Sequence, residues 1–391
     1  MNRDQLLEIL DKNDIPIWQK ELEGGTTIVV TQYGARLLGL FPCCVGSSRS
    51  VLWVNPNLAS ILSGKAENWD VDGEGNGGIG GDRLWVSPEQ NYFYKDPENF
   101  EEWYAQLQMD PGDYKKSAEE GPGVCFQNRY DLHDGLLDID YEDVLSERQF
   151  QVLDNPLKNA ADFKDMWKEV GFAGVEINDK IELAKKGDQA PVLCPWGLTQ
   201  VPMAASGGSG TVIVPTGRKA SPIGYFGDIP SDRIRLHDDQ LVFRVDGQKV
   251  TKLGVLAEDL PQEGPVQIAY MRPVITRTTV GMASDTDSGA LQWALLIRES
   301  DDVPRSSDEA IDPAKADPEG PRGVIQSYNS GPAGKIMFGE IEMQFRPLQQ
   351  EKDKVWRSKA TSRILAYFGP YEMIQKIAME RLNISQLDLF A

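Results

Sequence analysis

The sequence predicts an all-β sandwich or barrel, and three observations carry the prediction. Short apolar runs recur along the 391 residues, Gly, Pro, Asn and Asp punctuate them, and they follow one another too closely for βαβ units. In chain order, Met1 to Pro16 opens with a short amphipathic helix that puts Leu6, Leu7 and Leu10 on one side. Strands are then expected at Thr26 to Thr31, Ala35 to Phe41, Val51 to Val54, Arg83 to Val86, Gly174 to Leu183 and Thr211 to Val214. Between Arg233 and Val245, Ile234 and Leu236 alternate with Arg233, Arg235 and His237. A turn at Asp238-Asp239 follows, and Leu241, Phe243 and Val245 resume the apolar face, which reads as a hairpin. Further strands are expected at Val266 to Met271, Leu291 to Arg298 and Ile336 to Phe345. After Gly369-Pro370, Met373, Ile374, Ile377, Ala378 and Leu382 fall at helical spacing and predict a C-terminal helix.

Composition narrows the function. Lys and Arg number 40 against 60 Asp and Glu, a formal charge of −20, so phosphate backbones and anionic membrane surfaces are disfavoured partners. With 40% hydrophobic and 26% charged residues the chain can bury a full core. No apolar run approaches the roughly 18 to 20 residues that cross a bilayer. The N-terminal stretch has no basic region leading into an apolar one. A cytoplasmic location is therefore expected, with Cys43, Cys44, Cys125 and Cys194 as reduced thiols. Nothing in the sequence sets an oligomeric state.

Two stretches interrupt the strand pattern, and both read as insertions in a single domain spanning residues 1–391. Tyr94 to about Gly123 mixes Asp, Glu, Pro and Trp103 without alternation and reads as a long surface insertion. Glu299 to Gly323 is acidic and Pro-rich and reads as a mobile loop.

The most distinctive segment runs from Asp70 to Glu89, DVDGEGNGGIGGDRLWVSPE. Gly73, Gly75 and Gly78 satisfy GxGxxG, but a strand rather than a helix follows, which argues against a dinucleotide fingerprint. Asp70, Asp72, Glu74 and Gly75 resemble the start of a calcium loop, yet its twelfth position is Gly81 instead of Glu. A Gly-rich turn delivering a polar strand accounts for the glycines, but not for Asp82, Arg83, Trp85, Glu89 and Gln90.

Those residues carry a resemblance. Gly80-Gly-Asp-Arg-Leu-Trp-Val-Ser-Pro-Glu89 resembles the Gly-Gly-x-Arg-Leu-Trp-x-x-Pro-Glu signature of uncharacterised branches of the galactose mutarotase-like, or aldose 1-epimerase-like, superfamily. Tyr328-Asn-Ser-Gly-Pro, followed by Gly339-Glu-Ile-Glu-Met-Gln-Phe-Arg-Pro347, is similar to the late strand of that superfamily that carries Glu-x-Gln. The resemblance implies a large antiparallel β-supersandwich with a sugar-binding concave face and a few short helices, one of them C-terminal. It also implies Glu342 as the catalytic base, a small-molecule carbohydrate as the partner, and neither cofactor nor metal. The superfamily's cleft histidines have no counterpart here: the chain has only His133 and His237. His237 falls at the predicted hairpin tip and reads as a turn residue. His133 has acidic neighbours and is the candidate histidine acid, with Glu89 as the carboxylic alternative.

Exchanging sugar anomers requires a base for the anomeric hydroxyl and an acid for the ring oxygen. On an ideal strand Glu340, Glu342 and Gln344 share one face, and Arg83 and Trp85 share another. Arg83 suits hydrogen bonds to sugar hydroxyls and Trp85 suits stacking on a pyranose. Asp82, Gln90, Tyr328 and Glu340 complete the expected binding set, and Arg272 and Arg277 read as solvated. The function expected is a carbohydrate-binding protein that exchanges anomers, or a sugar-binding protein without catalysis on the same fold. A paired-carboxylate glycosidase and a polysaccharide lyase have less support.

Overall fold

A computed structural model describes residues 1–42, 49–65, 78–184, 190–203, 208–275, 291–331 and 336–390. Cys43, Cys44, Arg277 and the calcium-loop or dinucleotide-fingerprint residues Asp70, Asp72, Gly73, Glu74 and Gly75 lie outside these segments. Among the described residues a nine-stranded and an eleven-stranded sheet dominate, and their strand pairs are antiparallel. This is the all-β antiparallel sandwich expected from the punctuated apolar runs. The smaller sheet orders Ile17–Glu21, Thr27–Thr31, Arg36–Phe41, Asp82–Ser87, Cys194–Pro202, Phe338–Gln344, Ile325–Asn329, Thr251–Val255 and Ile223–Gly224 side by side.

The sheets bury their facing sides against each other. Ile28, Val30, Leu37, Ile341 and Met343 of the smaller sheet join Phe126, Phe150, Val175, Ile177 and Leu296 of the larger in one core. The outer sides are partly covered by helices. The C-terminal helix Tyr371–Leu382 lays Ile374, Ile377, Ala378 and Leu382 on Leu295, Ile297, Leu365 and Tyr367 of the larger sheet. The N-terminal helix Arg3–Lys12 packs Leu6 and Leu10 on Val29, Leu38 and Phe41. It covers only the first strands of the smaller sheet and leaves the outer side of the later strands for other use.

Three expectations need correcting. Val51 to Val54 forms no ladder. Val54 makes a single bridge to Gly80, and the backbone of Trp53 is shared between Gln200 and Gly81. The stretch from Tyr94 is wall and not overlay, since Tyr94, Phe100, Met109, Asp110 and Tyr114 are buried. Glu299 to Gly323 is a packed strap instead of a free loop. Val303, Ala310, Asp312 and Ala314 are buried, and the Asp312 carboxylate accepts hydrogen bonds from the Glu89 amide at 2.7 Å and Gln326 Nε2 at 2.8 Å. Composition misled here because a few well-placed polar anchors replaced a continuous apolar face.

The paired glycines of the motif have a backbone role. Gly80 and Gly81 adopt φ of +100° and +79°, and a Cβ at either would stand 2.4 Å from a carbonyl oxygen, of Trp53 and Leu37 respectively. Only glycine lets three backbone segments pass this closely. Gly81→Ala is expected to destabilise the protein by more than the roughly 1 kcal/mol of left-handed strain alone, read as a lower denaturant midpoint.

Asp82, expected in the binding site, faces the other way. Its carboxylate lies fully buried between the sheets, 2.7 Å from Arg148 Nη2 and 2.8 Å from Thr199 Oγ1, and it also accepts from Arg298 Nη1. Arg148 continues to Asp179 at 2.7 Å. Burial works against the Asp82 charge, but Arg298 and Arg148 outweigh it and hold the carboxyl below its usual range. Gly197 makes room for Arg298, whose Nη2 lies 2.0 Å from where a Cβ would stand.

Candidate functional site

Registered pairing gathers distant residues on the outer side of the smaller sheet. Trp196 pairs with Trp85 and Gln344, Leu198 with Arg83 and Glu342, and Gln200 with Glu340. Glu340 in turn pairs with Tyr328, and Tyr328 with Lys252. Because side chains alternate, every one of these points to the same side while Ile341 and Met343 enter the core. The motif strand and the late strand therefore reach one surface through a single intervening strand.

A cavity of about 1040 Å³ opens on that surface, lined by Arg83, Trp85, Glu89, Tyr94, Trp103, Trp196, Lys252, Tyr328 and Glu340 among others. Arg83 Nη2 lies 2.7 Å from Glu340 Oε1, and the guanidinium stacks 4.0 Å from the Trp85 ring centroid. Trp85 Nε1 donates to Asp110 Oδ2 at 2.5 Å, and Asp110 also receives both Nη2 hydrogen bonds of buried Arg36. The supposed surface insertion thus fixes a cavity aromatic from behind.

Lys252 escaped the sequence reading. It is buried, with Nζ 3.2 Å from Glu89 Oε2, 3.4 Å from Glu342 Oε2 and 4.6 Å from the Trp196 ring centroid. Burial disfavours its charge, but Glu342, Glu89 and Asp312 outweigh that and hold its pKa well above the ordinary lysine value. The available signal was a lone cation in the otherwise uncharged strand Thr251–Val255. Trp103, which donates to Glu89 Oε1 at 3.2 Å, was hidden in the stretch read as an insertion.

Glu342 is fully buried and does not itself line the cavity, but it touches two residues that do, Trp196 and Lys252. Trp196 Nε1 donates to its Oε2 at 3.1 Å, whereas Oε1 has no hydrogen-bond partner among the described residues. Burial first, and the nearby Glu340 and Glu89 carboxylates next, push its pKa up to about 8 against the opposing pull of Lys252 and Arg83. An orphaned buried carboxylate oxygen costs free energy unless a hydroxyl or water meets it.

The other expected residues part company. Arg83, Trp85, Glu89, Tyr328 and Glu340 line the cavity. Gln90 turns its Nε2 to the Pro97 carbonyl at 2.9 Å and does not line it. His133 is on the strand Gly123–Asp134, with its side chain 42% exposed and 2.9 Å from Asp140, outside the cavity lining. His237 pairs with Asp388 at 2.9 Å beside the C-terminal segment. Arg272, read as solvated, is buried. Among the described residues no cluster of three His, Cys, Asp or Glu is placed to hold a metal ion.

Comparison with known proteins places the chain in sequence terms. A family described as a family of unknown function (DUF6786) matches residues 4–263. The chain belongs to that family. The DUF6786 match takes in Arg83, Trp85, Glu89 and Lys252 and stops short of Tyr328, Glu340 and Glu342. No curated protein matches the chain. Among solved structures it is similar to a galactose mutarotase-like protein from Lactobacillus casei ATCC 334, with 10% identity and a TM-score of 0.42, covering 90% of this chain and 99% of the other. It is also similar to the Slr1438 protein from Synechocystis sp. PCC 6803, with 9% identity and a TM-score of 0.44, covering 91% and 95%. No helix among the described residues is long and apolar enough to cross a membrane.

Proposed function

We propose that this cavity binds a carbohydrate and exchanges its anomers by acid and base catalysis. The observation that carries the reading is the Glu89–Lys252–Glu342 array, two carboxylates held by one buried ammonium beside aromatic walls. Half-buried Trp103 offers an apolar face to a pyranose, buried Trp85 and Trp196 back the wall behind Arg83 and Lys252, and Arg83 and Glu340 offer a donor and an acceptor to its hydroxyls. In the forward step Glu342 takes the anomeric hydroxyl proton while the Lys252 ammonium, which Glu89 holds in place, donates one to the ring oxygen. The ring C–O bond breaks, and the open-chain aldehyde closes again from either face with the protons returned. The sequence resemblance supports Glu342 as the base, and a base is most effective when its pKa lies near the working pH.

The pH dependence follows with a definite sign. A carboxyl with a pKa of about 8 is protonated below that value and cannot accept a proton. The rate constant kcat/KM for anomer exchange, followed by NMR or polarimetry and corrected for spontaneous mutarotation, is expected to rise with pH and level above about 8. A profile that falls across the same range would make Glu342 the proton donor instead.

A second reading, a sugar-binding protein without turnover, is favoured by one observation: the Glu342 carboxylate is fully buried and does not line the cavity. The same assay separates the two. A rate no faster than buffer, together with a melting temperature raised by a sugar, would select the binding protein.

A further inference from the structure

We infer that the ligand is a saccharide of at least two rings, whose reducing ring occupies the Arg83–Glu89–Lys252 end and whose second ring lies on Phe226, Tyr328 and Phe338. The inference rests on the carbohydrate reading above and specifies its substrate class. Three observations carry it.

The first is extent. Along the strand Phe338–Gln344, the residue paired with Trp196 is Gln344 and the residue paired with Pro202 is Phe338. At about 3.4 Å per residue the lining therefore runs roughly 20 Å from the Trp196 level to Phe338, well beyond the width of one pyranose ring. A volume of about 1040 Å³ is at the upper end of what small-molecule pockets offer.

The second is a pair of separate aromatic platforms. Trp85 packs with Trp103 and Trp196 at centroid distances of 6.1 and 5.7 Å around the charged end. Tyr328 packs with Phe226 and Phe338 at 6.2 and 5.9 Å further out. By register Arg83 stands at the Leu198 level, between the Trp196 and Pro202 levels, and meets Glu340 at 2.7 Å, where hydroxyls flanking the glycosidic oxygen would fall.

The third is apolar exposure at the cavity. Phe226 and Val250 line the cavity yet are 40% and 47% exposed, and Met337, next to Phe338, is 36% exposed. The lining also carries the charged side chains of Glu101, Glu102 and Lys315. Exposed apolar side chains continuous with a polar pocket mark the place where a further part of the ligand rests.

The test is titration calorimetry of the full chain with reducing disaccharides (maltose, cellobiose, lactose) and their constituent monosaccharides. At least one disaccharide is expected to bind about ten-fold tighter than either of its rings alone. In the double variant Phe226→Ala, Val250→Ser, that ratio should fall toward one. Both residues are exposed, so the variant should keep the fold, checked by its circular dichroism and denaturant midpoint. Disaccharides binding no tighter than monosaccharides, or a ratio untouched by the double variant, would overturn the inference and leave the carbohydrate reading standing. No binding by any saccharide of either length would overturn both.

Discussion

Glu342→Gln is expected to lower the rate of anomer exchange by about 10²-fold to 10⁴-fold, the contribution general base catalysis makes, while saccharide binding is retained. Gln keeps the shape and an acceptor oxygen for Trp196 Nε1, which now bonds Glu342 Oε2 at 3.1 Å, so the local packing survives. What disappears is the only carboxylate with an unpartnered buried oxygen among the described residues. The rise toward pH 8 should vanish with the rate, because the titrating carboxyl is gone. Equal rates for the two proteins, both above buffer, would place the base elsewhere. The side-by-side NMR assay with melting temperatures for each sugar reads binding and turnover separately.

Asp82→Asn should cost stability and not ligand affinity as such. The substitution leaves Arg298 and Arg148, both fully buried, facing an amide in place of a carboxylate. Breaking a buried ion pair by neutralising one member typically costs about 3–5 kcal/mol, because the remaining charge is left uncompensated. Arg148 keeps Asp179, whereas Arg298 is left with Thr199 and Ser362. The larger share of the loss therefore falls on Arg298. Urea unfolding would register it as a reduced midpoint with little change in slope. A midpoint within experimental error of the parent would mean that the sheets are held together without this cluster.

How far the sequence could be read depended on whether the information was local. The apolar run in Leu291–Arg298 and the alternation in Gly174–Leu183 are written residue by residue, and so those strands were legible. The motif around Arg83 and the strand around Glu342 were legible as separate pieces, each by its own residues. Their meeting through Cys194–Pro202 was not, because pairing between strands more than a hundred residues apart leaves no local mark. Lys252 was missed for the same reason: one cation in a strand becomes a bridge only when Glu89 and Glu342 arrive from elsewhere. Asp82 misled for the opposite reason. Its neighbours belong to the cavity, and assigning it with them ignored the pleat that turns adjacent side chains to opposite sides. The strap from Glu299 to Gly323 defeated a compositional argument, since Asp312 is held by hydrogen bonds that composition cannot express.

The pleat at Asp82 and Arg83 has a last consequence. Asp82 is bolted to two arginines of the opposite sheet, and Arg83, the next residue, meets Glu340 on the outside. Sliding this strand by one position would exchange the two, pushing a guanidinium against Arg148 and Arg298 and withdrawing the cation from the cavity. The strand therefore has one permitted frame, enforced by charge rather than by shape. A ligand arriving at Arg83 meets a donor whose place is already settled by an ionic lock on the far side of the same backbone, so little freedom is left to surrender on binding.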